Sequence, residues 1–196
     1  MKYLIMMKNL EKSVDALIAD LTEKEKQQDI VLQKMREIVR ACSKAIKNIH
    51  GDEIKKNEDV RKNIKKEIKD ILKYRLDFKQ NIDHTLQEYC EMEITNYVKE
   101  NLMNMKELPT NDDLNCPLEP YIMGLLDVFG ELKREIVESL RKDDKKSAEK
   151  YFEVMEKIYE TLLPIRFSES LLPGFRRKQD MARIQVESAR SELLRK

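Results

Sequence analysis

Turn-forming residues are scarce: four glycines and five prolines stand among 196 residues, with no tryptophan, 38% charged residues and 41% hydrophobic ones. A chain so poor in chain-reversing residues and so rich in Lys, Glu, Leu, Ile and Met favours long helices over strands. Cysteine is sparse too. Cys42, Cys90 and Cys116 make an odd count with no repeated spacing, which excludes a disulfide framework and a zinc knuckle and fits a reducing, cytoplasmic setting. No apolar run is long enough to span a membrane, and the opening MKYLIMMKNL is too short for a signal sequence, so a protein off the membrane is expected. There is no glycine-rich phosphate loop and no aromatic signature of an RNA-binding sheet. What remains is enough aliphatic content for a core. The heavy charge confines that core to narrow stripes on long helices, of a kind that often pair between subunits.

Nothing divides the chain, so a single all-α domain over residues 1–196, with six or seven long antiparallel helices, is expected. Apolar residues recur from Val14 to Ile49 in a nearly strict seven-residue rhythm, broken by polar residues at Lys24 to Gln28, and predict one long first helix. His50 and Gly51 close it, the glycine being suited to a left-handed helix end. Further helices are predicted at about Asp52 to Arg75, Asp77 to Met105, Leu118 to Arg141, Ser147 to Leu163 and Phe175 to the C-terminus. The clearest loop, Lys106 to Pro117, holds two prolines and a polar cluster. Pro120 is tolerated only in the first turn of its helix, and Pro164 ends the fifth.

Chemistry concentrates on two helices. Glu88 and Glu91 lie three residues apart on the third helix, and Asp127 and Glu131 four apart on the fourth, so each pair projects to one side. Carboxylate pairs on facing helices are how bundles hold hard divalent cations such as Mg²⁺ or Mn²⁺. Spacing alone also picks out Glu153/Glu156 and Glu156/Glu160, which a solvated face explains equally well. Asp127 differs in interrupting YIMGLLDVFG, the most apolar run of the chain, with Gly124 and Gly130 three residues to either side. Two glycines inside a helix imply a close approach there, either by a packed helix or by a bound ion or phosphate. Asp127 and Glu131 point away from the stripe of Leu125, Phe129, Leu132 and Ile136, towards water or a second surface. His84, one turn before Glu88, reads as a polar residue on a wet face, and His50 as a favourable charge at a helix end.

The net charge of +1 hides an uneven distribution. Lys55 to Lys79 holds ten basic residues against five acids, and Gln80 to Glu160 ten against nineteen. Arg36, Arg40, Lys44 and Lys47 form a basic row on the first helix that can track a phosphate backbone. Arg176, Arg177, Lys178 and Arg183 form a second group at the start of the last helix. On the lysine-rich second helix the interleaved Glu58, Asp59, Glu67 and Asp70 point instead to a solvated face.

The segments GLLDVFGELKREIVESL and GFRRKQDMARIQVESARSEL, with REIVRACSKAIKNIH and LQEYCEMEITNYV before them, resemble the translin family in order and separation across roughly Met35 to Leu194. The likeness is closer to its translin-associated factor X (Trax) branch. It implies an all-helical protomer in a hollow homo-octamer that holds RNA, small duplexes or single-stranded DNA, and in the Trax branch a Mg²⁺- or Mn²⁺-dependent endoribonuclease. Glu88, Glu91, Asp127 and Glu131 match that branch's metal-binding catalytic acids. The sequence is shorter than the eukaryotic pattern and lacks its basic N-terminal extension, so one chain is expected both to bind and to cut. A non-catalytic, translin-like binding assembly is the first alternative. The second is an all-α nucleotide pyrophosphohydrolase, whose second acidic pair is spaced Glu-x-x-Asp, unlike Asp127-x-x-x-Glu131.

Overall fold

The computed structural model describes residues 2–104 and 106–195, with side chains from Met7 onward. Among these there are six α-helices and no strand: α1 (Lys2–His50), α2 (Asn57–Ile71), α3 (Lys79–Asn101), α4 (Leu118–Arg141), α5 (Lys145–Leu162) and α6 (Phe175–Leu194). Short 3₁₀ turns at Ile54–Lys56 and Leu72–Tyr74 bracket α2, where one continuous helix was expected. The expected ends of α3 at Met105 and of α6 at the terminal Lys196 fall on residues outside those described.

At 1.5 Å per residue α1 is about 70 Å long, and the polar stretch Lys24 to Gln28 does not break it. Only its second half enters the core, through Val31, Met35, Ile38, Cys42, Ala45 and Ile49. Its C-terminus departs from expectation, because Gly51 keeps an ordinary backbone and Asp52 takes the left-handed conformation, φ 58°. Aspartate tolerates that region better than most residues. Here its carboxylate is also held by Lys99 at 2.8 Å and Lys142 at 2.7 Å.

Cross-helix pairs fix the directions. Asn48 with Asn57 (2.9 Å) and Lys34 with Glu67 (2.8 Å) make α1 and α2 antiparallel. The buried Asn57 also donates to the Ala45 carbonyl and to Asn96, joining α1, α2 and α3. Phe129 with Tyr159 and Glu135 with Tyr151 make α4 and α5 antiparallel, and Leu162 with Gln179 and Glu156 with Arg190 make α5 and α6 antiparallel. Between α3 and α4, however, Lys79 pairs with Glu119 (2.8 Å) and Lys99 with Glu135 (2.5 Å), so these two run parallel. A parallel neighbour requires the chain to travel back the length of α3, about 35 Å. The loop predicted at 106–117 makes that return, pinned by buried Leu114 and Cys116 and by the Tyr121 hydroxyl donating to the Pro109 carbonyl at 2.8 Å.

The two glycines of α4 prove unlike each other. A Cβ at Gly124 would lie 2.8 Å from both the Cys90 Cβ and the Gln87 carbonyl, so close approach of α3 requires glycine there; at Gly130 nothing lies within 4 Å. Gly124→Ala is expected to cost about 1–3 kcal/mol through overpacking. Gly130→Ala is expected to gain up to ~1 kcal/mol from helix propensity. Urea unfolding at fixed protein concentration checks both, and equal responses would refute the close contact at Gly124.

Candidate functional site

Parallel packing without a Cβ at Gly124 brings the Glu88/Glu91 turn of α3 level with the Asp127/Glu131 turn of α4. All four acids are partly buried, Glu88 27%, Asp127 30% and Glu131 22% exposed. Glu91 feels the crowding most. Burial first, then the charges of Asp127, Glu88 and Glu131, push its carboxyl up from 4.5 to about 8. Asp127, Glu88 and Glu131 are thus near enough to Glu91 to oppose its charge, while the side chains paired with Asp127 and Glu131 are Lys178 of α6 and His50 of α1.

Cationic side chains from distant segments offset this charge. Lys178 of α6 donates to the Asp127 carboxylate, to Gln87 Oε1 at 3.0 Å and to the Met123 carbonyl at 3.4 Å. The structure thus sets Lys178 apart from the basic group to which the sequence assigned it: it sits within the acid cluster. On the other flank His50, at the end of α1, donates from Nε2 to Glu131 and from Nδ1 to Glu135 at 2.6 Å. Burial lowers its pKa, but the two carboxylates outweigh burial and raise it from 6.5 to about 9, so the ring is doubly protonated and charged. Glu135 also accepts from Lys99, and Lys99 pairs with Asp52, giving a charged chain from Lys142 through Asp52, Lys99, Glu135 and His50 to Glu131. His84 lies 4.0 Å from Glu88 with its side chain 68% exposed, as a polar residue on a wet face.

Hard carboxylate oxygens, with one carboxyl kept neutral by burial and by the like charges around it, are donor chemistry that a divalent cation suits. Among the described residues no three His, Cys, Asp or Glu side chains are gathered into a group that could hold a metal ion; Asp127 and Glu131 are paired instead with Lys178 and His50. Sequence reasoning missed Glu135, Gln87, and the bridging roles of His50 and Lys178. The signals within reach were the i, i+4 spacing of Glu135 from Glu131 and the histidine closing the first helix.

Arg36, Arg40, Lys44 and Lys47 are all exposed on α1, and Arg176, Arg177 and Arg183 on α6. Among the described residues none of these seven is in an ion pair. On α2, by contrast, Lys62 lies 3.7 Å from Asp59 of the same helix, while Arg61 departs from the solvated face expected there and binds the buried Glu93 of α3 at 2.7 Å.

A sequence model of the translin family matches residues 9–189. The uncharacterized protein MJ0175 of Methanocaldococcus jannaschii is 31% identical over 183 residues, 91% of this chain and 80% of its own length. Among solved structures, AfC3PO in a complex with duplex RNA superposes with a TM-score of 0.81 at 28% identity, over 92% of this chain and 94% of that one. AfC3PO alone gives 0.77 at 27%, over 92% and 95%. Apo-NeC3PO gives 0.81 at 21%, over 92% and 95%, a likeness of fold. No helix among the described residues is long and apolar enough to cross a membrane.

Between pH 4.5 and about 8 the folded chain keeps a proton on Glu91 that the unfolded chain has lost, so stability falls as pH rises through this window. The contribution of His50 is whole below 6.5 and is lost as pH rises through about 9. Without divalent cations the urea midpoint is expected to decline from about pH 5 to about pH 9. Glu91→Gln should flatten the lower part of that decline and unfold later than wild type near pH 8. A midpoint for Glu91→Gln that tracks wild type throughout would remove the carboxylate crowding from the account.

Proposed function

Because the chain belongs to the translin family, we propose that it is a Trax-like, divalent-metal-dependent endoribonuclease that binds and cleaves single-stranded RNA within a hollow homo-oligomer, an octamer. The observation that supports this reading is the Glu91 carboxyl, held neutral first by burial and then by the charges of Asp127, Glu88 and Glu131 around it. The structure of AfC3PO with duplex RNA supports the RNA-binding part.

The four acids would hold Mg²⁺ or Mn²⁺, which supplies Lewis acidity towards the phosphodiester and lowers the pKa of water. The chain's own residues do the rest. To serve as a ligand Glu91 would have to pass to solvent the proton that burial and its acidic neighbours hold on it. Lys178 would have to release Asp127 for that carboxylate to serve as a ligand, with Gln87 Oε1 still accepting from it, while His50 holds Glu131 and Glu135 together. Because the acid cluster repels RNA, the strand is held by the exposed rows Arg36, Arg40, Lys44 and Lys47, and Arg176, Arg177 and Arg183. A second reading, a binding assembly for RNA or single-stranded DNA without turnover, is favoured by one observation. Lys178 and His50 already neutralise Asp127 and Glu131 from within the chain.

A labelled single-stranded RNA separates the two readings. Cleavage is expected with Mg²⁺ or Mn²⁺ and is abolished by EDTA. Loss of a residue that merely supports a metal ligand costs about 10–100-fold, so Asp127→Ala and Glu91→Gln, verified as folded, should lose more than that. RNA bound but uncut under every metal condition would establish the binding assembly. Hydrolysis of free nucleoside triphosphates alone would return the pyrophosphohydrolase.

Removing both Arg36 and Arg40 should weaken RNA binding and lower the slope of log affinity against log salt by roughly 1.4, about 0.7 for each phosphate contact on a single strand. An unchanged slope would take the α1 row out of the interface.

A further inference from the structure

The buried residues of α1 fall at 31, 35, 38, 42, 45 and 49, alternating steps of four and three. Continued towards the N-terminus, the same alternation passes through Gln28 and Lys24 and then meets Leu21, Leu17, Val14, Leu10 and Met7. These five, with Ile18 beside them, are 44–57% exposed. One seam thus runs the length of the helix, filled by the protomer's own core in its second half and open in its first, with two polar residues at the division. A heptad seam is complementary to another heptad seam, and this chain contains one. Six aliphatic side chains about half open expose on the order of 500 Å², the upper range for a single patch on a monomer. Two such stripes together reach the roughly 1,000 Å² that marks a specific interface.

We propose that the outer half of α1, Met7 to Leu21, pairs antiparallel with the same segment of a second copy of this chain, with Leu10 against the partner's Leu21 and Val14 against the partner's Leu17. The flanking charges select this arrangement. A parallel pair sets Asp20 opposite the partner's Glu25, twice by symmetry, and like charges at such flanks oppose pairing. The antiparallel register one heptad away sets Glu11 against the partner's Glu11. In the proposed register Glu11 meets the partner's Ile18 and Asp20 meets the partner's Ser13, so no like charges face each other. Lys24 and Gln28 then lie at the margins of the overlap. This inference assigns a surface to the oligomeric part of the function proposed above and is independent of metal and RNA.

Light scattering on metal- and RNA-free protein should show Leu10→Glu/Leu17→Glu at half the mass of wild type, with helicity by circular dichroism unchanged because both side chains are exposed. Under mild oxidation Leu10→Cys/Leu21→Cys should give a covalent dimer and Leu10→Cys/Val14→Cys should not; the three native cysteines are buried. Equal masses for variant and wild type would overturn the proposal. So would crosslinking through the Leu10/Val14 pair alone, or a monomeric wild type that binds anionic vesicles through this stripe. A protein that pairs as described yet neither binds nor cuts RNA leaves this inference standing and removes the functional reading. One that cuts RNA with the glutamate variant at full mass does the reverse.

Discussion

The parallel contact of α3 with α4, closed to backbone distance at Gly124, is the constraint from which the rest of the site follows. Contact with Gln87 and Cys90 at this point sets the turn of α3 that carries Glu88 and Glu91 beside the turn of α4 that carries Asp127. A bulkier residue at 124 would part the helices and move the acids of α3 away from those of α4. The long return loop anchored by Leu114, Cys116 and Tyr121 is the structural consequence of that parallel contact.

Bringing four carboxylates into a half-buried space is unfavourable, and the fold answers with charge drawn from its extremities. Lys178 arrives from α6, and His50 from the end of α1. His50 and Glu135 are 5% and 4% exposed, and each keeps a second partner, Glu131 and Lys99, so their bond is one link of a buried charged network. The end of α1 is therefore locked to α4 by electrostatics as well as by the apolar seam above it. The left-handed turn at Asp52 belongs to the same lock, since its carboxylate receives Lys99 and Lys142 once the chain reverses there.

Much of this was legible in the sequence because it is written locally. Helix α4 runs from Leu118 to Arg141 as predicted, since Pro117 and Pro120 define its start and the stripe of Leu125, Phe129, Leu132 and Ile136 defines its buried side. The four acids could be named from their spacing and from the family resemblance. Helix direction could not be read, because periodicity records which face is buried and not which way a neighbour runs. Nor could the partners of the acids. Lys178 is 51 residues from Asp127, and His50 is 81 from Glu131, separations at which no local pattern speaks. Lys178 sits in a run of basic residues and differs from Arg176 and Arg177 only in the side of α6 from which it projects. The glycines taught a similar lesson, one marking a contact and the other open space.

The division of α1 shows how one periodic pattern can serve two ends. Up to the polar pair Lys24 and Gln28 the stripe has no partner within the protomer, while beyond it every seam position from Val31 to Ile49 is covered. Had the apolar seam been continuous, the inner helices could slide along it by a heptad at little cost, since each step would replace one aliphatic layer with another. The polar interruption makes such a slide bury a lysine or a glutamine without a partner, which is costly in an apolar core. It thereby fixes where the core begins. That register in turn places His50 opposite Glu131 and Glu135, so a break in the hydrophobic pattern near residue 26 helps set the electrostatics of a site about seven turns away.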